Sequence, residues 1–310
     1  MKFTHIPVMT AQVMEFADVK PGKIFVDATL GGAGHSRAIL EAMQGRGLLV
    51  ALDRDPDAVA HGKELFSSFE NVRIVRANYS QLPEVLENLG LGAVDGIVAD
   101  LGLSLHQLAA SGRGFSFQAD EPLGMRMDGP DGGPTAGDIV NGAPVAELLK
   151  IFRDYGQERY ARRIADAIVR ERQKAPLATS RQLGQIVVSA VPAAARKQGI
   201  HPATRIFQAL RIKVNEELFH LEQFLDRFPA CLKPGGRICI IAFHSLEDRM
   251  VKVRFKSLEK SCTCPDHLPC VCGAKPQAKL VTRRALRPSD EEVSLNPLSR
   301  SARMRVLEML

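Results

Sequence analysis

The chain has 310 residues, 45% of them hydrophobic, and a net charge of +6. No apolar run approaches the ~20 residues that a membrane-spanning helix needs, and the stretch from Met1 to Pro7 lacks the apolar core of a signal peptide. A cytoplasmic protein of ordinary globular composition, with no membrane partner and with reduced cysteines, is expected.

In chain order, the first informative segment is Val26-Asp27-Ala28-Thr29-Leu30-Gly31-Gly32-Ala33-Gly34-His35. An apolar run ends in an acid, a glycine-rich turn follows, and Ser36 to Met43 reads as a helix. That order builds a nucleotide-type pocket at the carboxyl edge of a parallel sheet, where glycines let backbone approach a ligand. Further buried strands are expected at Leu48–Leu52, Val72–Val75, Gly96–Ala99 and Arg237–Phe243, after the first at Ile24–Val26. Helices at Ala58–Phe66 and Leu82–Leu89 separate the early strands. Alternation of this kind predicts an α/β fold with a doubly wound, Rossmann-like sheet and right-handed crossovers.

The rhythm breaks after Asp100. The next strand candidate starts 137 residues later, far beyond an ordinary crossover, so an inserted domain is expected at 106–212 between the two parts of the main domain, 1–105 and 213–310. Its first part, Gly112 to Gly142, reads as loop. Its second part predicts helices at Val145–Phe152, Gln157–Arg172, Ser180–Ala190 and Thr204–Leu225, with Thr179 or Ser180 and Thr204 as N-caps. Residues 146–215 carry 14 Lys and Arg against 5 Asp and Glu, a local charge of +9. A basic helical module set over the carboxyl edge of the sheet suits a polyanion partner. A solvated helical face with ordinary internal pairs would have the same composition.

The glycine turn lacks the third glycine of the dinucleotide fingerprint, and the chain has no P-loop. Asp27, Asp53 and Asp100 each close a strand candidate. Each acid alone would also serve as a cap or turn residue, but three at one sheet edge would repel a pyrophosphate. They suit a cationic, phosphate-free cofactor, S-adenosyl-L-methionine, with Asp53 placed to take ribose hydroxyls.

These segments resemble the bacterial S-adenosylmethionine-dependent methyltransferases that modify N4 of a cytidine in 16S ribosomal RNA, the H-type small-subunit family. The resemblance runs over nearly the whole chain. It rests on the Asp27–Ser36 segment and on Asp53-Arg54-Asp55-Pro56, Gly112-Arg113-Gly114-Phe115-Ser116-Phe117, Met125-Arg126-Met127-Asp128, His201-Pro202-Ala203-Thr204-Arg205 and Phe243-His244-Ser245-Leu246-Glu247-Asp248-Arg249. It implies a class I methyltransferase sheet with a helical insertion that helps hold substrate, and a target in the decoding centre of the small subunit. It also implies that Ala33, Gly34 and His35 line the methionine end of the cofactor. Asp53 would hold the ribose, Tyr79 would flank the adenine, and Asp100 and Gln107 would close the site. After Asp100-Leu101-Gly102 the family continues with a small apolar residue, two serines and a proline, whereas this chain has Leu103-Ser104-Leu105-His106.

An N4 amine is a weak nucleophile, so the protein's work is positioning and charge stabilisation. Asp100 is the expected principal polar residue, with Ser104 orienting the amine. His244, after the fifth strand, is either a proton relay or a loop cap with Asp248. The target base must be exposed, and Phe115 and Phe117 either stack on bases or pack the insertion. Arg113, Arg126, Arg159, Arg162, Arg163 and Arg205 are candidate phosphate contacts.

Cys262, Cys264, Cys270 and Cys272 fall within 11 residues. Four thiols so close suit a structural zinc, although the C-x-C spacing is tighter than usual and a loop of unligated thiols is the alternative. Cys231 and Cys239 sit in apolar surroundings and read as core. The partner expected is 16S ribosomal RNA or the assembled small ribosomal subunit. Nothing in the sequence decides between a monomer and a homodimer. An amino-methyltransferase acting on DNA or protein, and a non-catalytic ribosomal RNA binder, stay open on the residues alone.

Overall fold

A computed structural model of the chain describes residues 7–109, 111–129, 133–196, 200–260, 264 and 272–310. Seven strands form one sheet: β1 (Ile24–Asp27), β2 (Leu48–Asp53), β3 (Val72–Arg76), β4 (Val94–Asp100), β5 (Leu232–Ala242), β6 (Ala278–Leu280) and β7 (Arg303–Met309). Their order is β3-β2-β1-β4-β5-β7-β6. The first five are parallel, and β7 runs antiparallel to both β5 and β6. This is the expected doubly wound, Rossmann-like sheet, with two strands that the apolar runs did not predict. In β7, Met304 and Val306 are buried while Arg303 and Arg305 are half-exposed, so alternation replaces a continuous run.

The helices are α1 (Thr10–Ala17), α2 (Gly34–Met43), α3 (Pro56–Leu65), α4 (Leu82–Asn88), α5 (Leu105–Ala109), α6 (Ala136–Gly142), α7 (Val145–Asp154), α8 (Ala161–Arg172), α9 (Ser180–Ala190), α10 (Ala193–Arg196), α11 (Ala203–Asn215), α12 (Glu217–Arg227), α13 (Ser245–Lys260) and α14 (Asp290–Leu295). Strand side chains alternate between two apolar layers. Val26, Val50, Leu52, Ile97 and Ile240 pack with α4, α12 and α13 through Leu82, Phe224 and Phe255. Phe25, Leu49, Val98 and Ile241 pack with α1 and α2 through Val13, Ile39 and Met43. Both faces are therefore covered, as parallel sheets require.

The chain divides into two compact units. One runs to Gly102 and resumes at Leu218, and the other spans Leu103–Glu217. The second has its own core, built on Leu148, Phe152, Ile164, Ile168, Leu183 and Leu210. Thr179, not Ser180, caps α9, exchanging bonds with Gln182 as a capping box. The expected single helix Thr204–Leu225 is two helices, and Pro202 rather than Thr204 is the N-cap residue of the first. At the break Glu216 is left-handed, with φ 50°. Asn215, buried beside it, donates to Met125 O and accepts from Met127 N. Loop backbone thus takes the amide at the helix end, a context that no local pattern carries. The segment expected as loop also contains α6, started by a Thr135–Asp138 capping box. Among the described residues no helix is long and apolar enough to cross a membrane.

Candidate active site

Asp53, Asp27 and Asp100 end three neighbouring parallel strands, β2, β1 and β4. The winding reverses between β1 and β4, which opens a crevice at the carboxyl ends of the strands. The three acids differ in use. Asp27 is fully buried and tied down: Ser36 Oγ donates to it at 2.7 Å and Thr29 N at 3.2 Å. Burial pushes its carboxyl up to about 6, against the pull of His35. Asp53 accepts Gly31 N on one oxygen at 2.8 Å and Asp55 N on the other at 2.9 Å. Burial raises its carboxyl to about 6 as well. Asp100 keeps a buried Oδ1 with no hydrogen bond, and its backbone N–H is held by Thr29 Oγ1 at 2.6 Å.

His35 opens α2 with its side chain 4% exposed and its Nε2 3.5 Å from Asp100 Oδ2. Among the described residues neither ring nitrogen has a hydrogen-bond partner. Burial opposes charge on the ring, but Asp100, then Asp27 and Glu292, outweigh it and hold the imidazolium above its ordinary range. Ala33, just before it, is left-handed with φ 65°, and so is Gly31 with φ 47°. A Cβ on Gly34 would meet the Pro7 ring at 2.6 Å. That glycine therefore makes room for the Pro7 ring. Tyr79 lies half-buried in a tight turn after β3, edge-on to Phe224 with ring centroids 5.3 Å apart.

Two expected site residues have structural work in the inserted unit. Ser104 and Gln107 cap α5 reciprocally: Ser104 N donates to Gln107 Oε1 at 3.1 Å and Gln107 N to Ser104 Oγ at 3.2 Å. The serine hydroxyl hydrogen is not consumed by this cap, so it still has a bond to donate. His106 is exposed. In the α/β unit, His244 precedes α13. Glu247 N donates to its Nδ1, and Glu247 Oε2 accepts from Phe243 N and His244 N. The cap partner is thus Glu247, not Asp248. Asp248 instead binds Arg303 and Arg305, at 3.1 and 2.7 Å, and these two cations hold its carboxyl below the usual range despite burial.

Phe115 is buried in the core of the inserted unit, so it has no face for a base. Phe117 is half-buried, stacked on His201 at 4.4 Å and 8°. Most of the candidate phosphate contacts are used internally. Arg113 donates to Met127 O and Arg126 to Gly133 O. Arg162 pairs with Asp166, Arg159 lies over the Tyr160 ring, and Arg205 faces Glu158 at 3.9 Å. Arg163 is exposed. Of the four clustered cysteines, Cys262 and Cys270 lie outside the described residues, Cys264 is half-buried and Cys272 exposed. Burial pushes the thiols of Cys231 and Cys239 up, to about 11 and about 12, so both are inert core groups.

Sequence reasoning missed Thr29, which joins the glycine turn to Asp100, and Glu292, which accepts from Met9 N and adds to the negative charge felt by His35. It also paired the His244 cap with Asp248 rather than Glu247, although a carboxylate three residues after His244 has capping-box spacing.

The chain is 53% identical over 309 residues to the Ribosomal RNA small subunit methyltransferase H of Desulforapulum autotrophicum, covering 99% of each chain. It is 52% identical over 311 residues to the protein of the same name from Desulfosudis oleivorans, again covering 99% of each. Among solved structures, TrmN from Thermus thermophilus is 15% identical with a TM-score of 0.44, over 97% of this chain and 48% of that one. The pattern of the MraW methylase family matches residues 2–310, and the chain belongs to that family of methyltransferases.

Proposed function

We propose that this methyltransferase moves a methyl group from S-adenosyl-L-methionine to the N4 amine of one cytidine in the decoding centre of 16S ribosomal RNA, in the cytoplasm. The observation that carries the cofactor is the pair His35 and Asp100, whose buried atoms lack hydrogen-bond partners at a sheet edge lined by carboxylates. Buried polar atoms of this kind are normally satisfied, and carboxylates fit a cation that bears no phosphate. The acceptor is supported by the half-identical relatives named as small-subunit ribosomal RNA methyltransferases and by the +9 stretch.

When bound, the cofactor supplies a methyl group already activated on a sulfonium. This chain's residues then bind and orient. Asp53 accepts the ribose hydroxyls, Tyr79 flanks the adenine, and Ala33, Gly34 and His35 line the methionine end, with Gln107 closing the site. Asp100 accepts an amine hydrogen so that the nitrogen lone pair can turn toward the methyl group, with Ser104 orienting the amine. His35 sets positive charge beside Asp100, and His244 is the candidate proton relay. The inserted unit holds RNA phosphates with the arginines not used internally, Arg163 among them.

Tritiated methyl transfer onto small subunits that lack the modification tests this directly. Digestion is expected to yield N4-methylcytidine, and the same assay on naked 16S RNA identifies the preferred substrate form. Label in any other nucleoside, or none, overturns the assignment.

A further inference from the structure

Beside the end of β5 is a cavity of about 230 Å³, lined by His244, Ser245, Arg287, Arg300, Ser301 and Arg303 among others. Three guanidinium groups face one small space. Arg303 shares Asp248 with Arg305, so that carboxylate is already engaged twice. Arg287 and Arg300 are exposed and have no carboxylate at ion-pair distance among the described residues. The nearby Glu247 is buried, and its Oε2 is taken by two backbone N–H groups. The residues that line the space include three arginines and no acid, so it is cationic.

Two further features lie at the same place. The cavity sits at the start of α13, a 16-residue helix whose first N–H groups favour an anion. The His244 side chain, 8% exposed, has its Nδ1 accepting from Glu247 N. Its Nε2 must then carry the proton, and it makes no hydrogen bond, although Glu247 Oε1 lies 3.2 Å away. Planar guanidinium forks match phosphate oxygens bidentately. The position also matters: β5 neighbours β4, with Ile241 opposite Asp100, and His244 follows three residues on.

We propose that this cavity holds a backbone phosphodiester of the RNA strand that presents the target base, fixing its register against Asp100. The proposal rests on the ribosomal RNA reading for the identity of the strand, but not on methyl transfer for its test. The variant is Arg287→Ala/Arg300→Ala, at two exposed side chains outside the cofactor-binding residues. Filter binding to 16S RNA is measured at several salt concentrations, with cofactor affinity and thermal midpoint as controls. RNA affinity is expected to fall about 10- to 100-fold, and the slope of log K against log salt to shrink by about 1 to 2, as loss of phosphate contacts predicts. Cofactor affinity and midpoint should stay unchanged. Equal RNA affinity and equal salt slope in the two proteins overturn the proposal. So does calorimetry in which inorganic phosphate alone binds the wild type at micromolar concentration while RNA binds both proteins alike, since the cavity would then be a free-phosphate site. Wild-type protein that binds RNA but forms no N4-methylcytidine would refute the function proposed above and leave this test standing.

Discussion

The α/β unit and the inserted unit treat buried polar groups in opposite ways. Among the described residues, every buried side-chain polar atom without a partner belongs to the α/β unit, on Gln12, His35, Asn71, Asp100 and His244. In the inserted unit the buried Asn215, Ser180 and Gln107 all have partners, and so does Glu158. Unmet buried groups are a liability unless a ligand meets them. The contrast separates a unit shaped for binding from one shaped for holding its own form, with cationic side chains on its exterior.

Three substitutions test that contrast. The largest free-energy effect is expected in the inserted unit: Phe115→Ala should lower the unfolding free energy by about 3–5 kcal/mol, as the emptied core predicts. Denaturant titration reads this, and an unchanged midpoint would mean that Phe115 is not a core support. Asp100→Ala should reduce methyl transfer by roughly 10²- to 10³-fold, and because it removes the carboxylate beside the buried His35 ring it should also lower the thermal midpoint, so turnover is compared per folded protein. Near-normal turnover would remove Asp100 from the chemistry. Asp53→Asn is the mildest: losing hydrogen bonds to a charged acceptor should weaken cofactor binding by about 1.5–3 kcal/mol. The Asp53 carboxyl is raised from 3.8 to about 6, so above pH 6 it is the charged acceptor, and below it is protonated. Wild-type affinity should therefore fall as pH drops through about 6 while the Asn variant stays flat, which calorimetry at several pH values resolves.

The parallel strands were legible because a strand buried on both faces reads as an unbroken apolar run. Strand β7 was not, because Arg303 and Arg305 interrupt it, and their reason for being there, Asp248, lies 55 and 57 residues away. The sites divide in the same manner. That an acid ends each of three strands is visible in the chain. That Asp27 is tied to Ser36 while Asp100 keeps an unmet oxygen depends on side chains brought together by folding. Phe115 and Phe117 stand two residues apart in one motif, yet only the first is fully enclosed. Residue type and spacing alone cannot distinguish them.

The interruption of the α/β unit between Gly102 and Leu218 has a consequence for the order of synthesis. A ribosome completes the whole inserted unit before it has made β5, β6 or β7. Until then β4 ends the nascent sheet as an open edge, and such edges recruit other strands. The inserted unit has its core residues in one continuous stretch, so it can close early. The crevice with Asp100 must wait for the last third of the chain, including Glu292, which takes Met9 N near the very beginning. A truncated product would thus carry the basic unit complete, beside a sheet that still ends at β4.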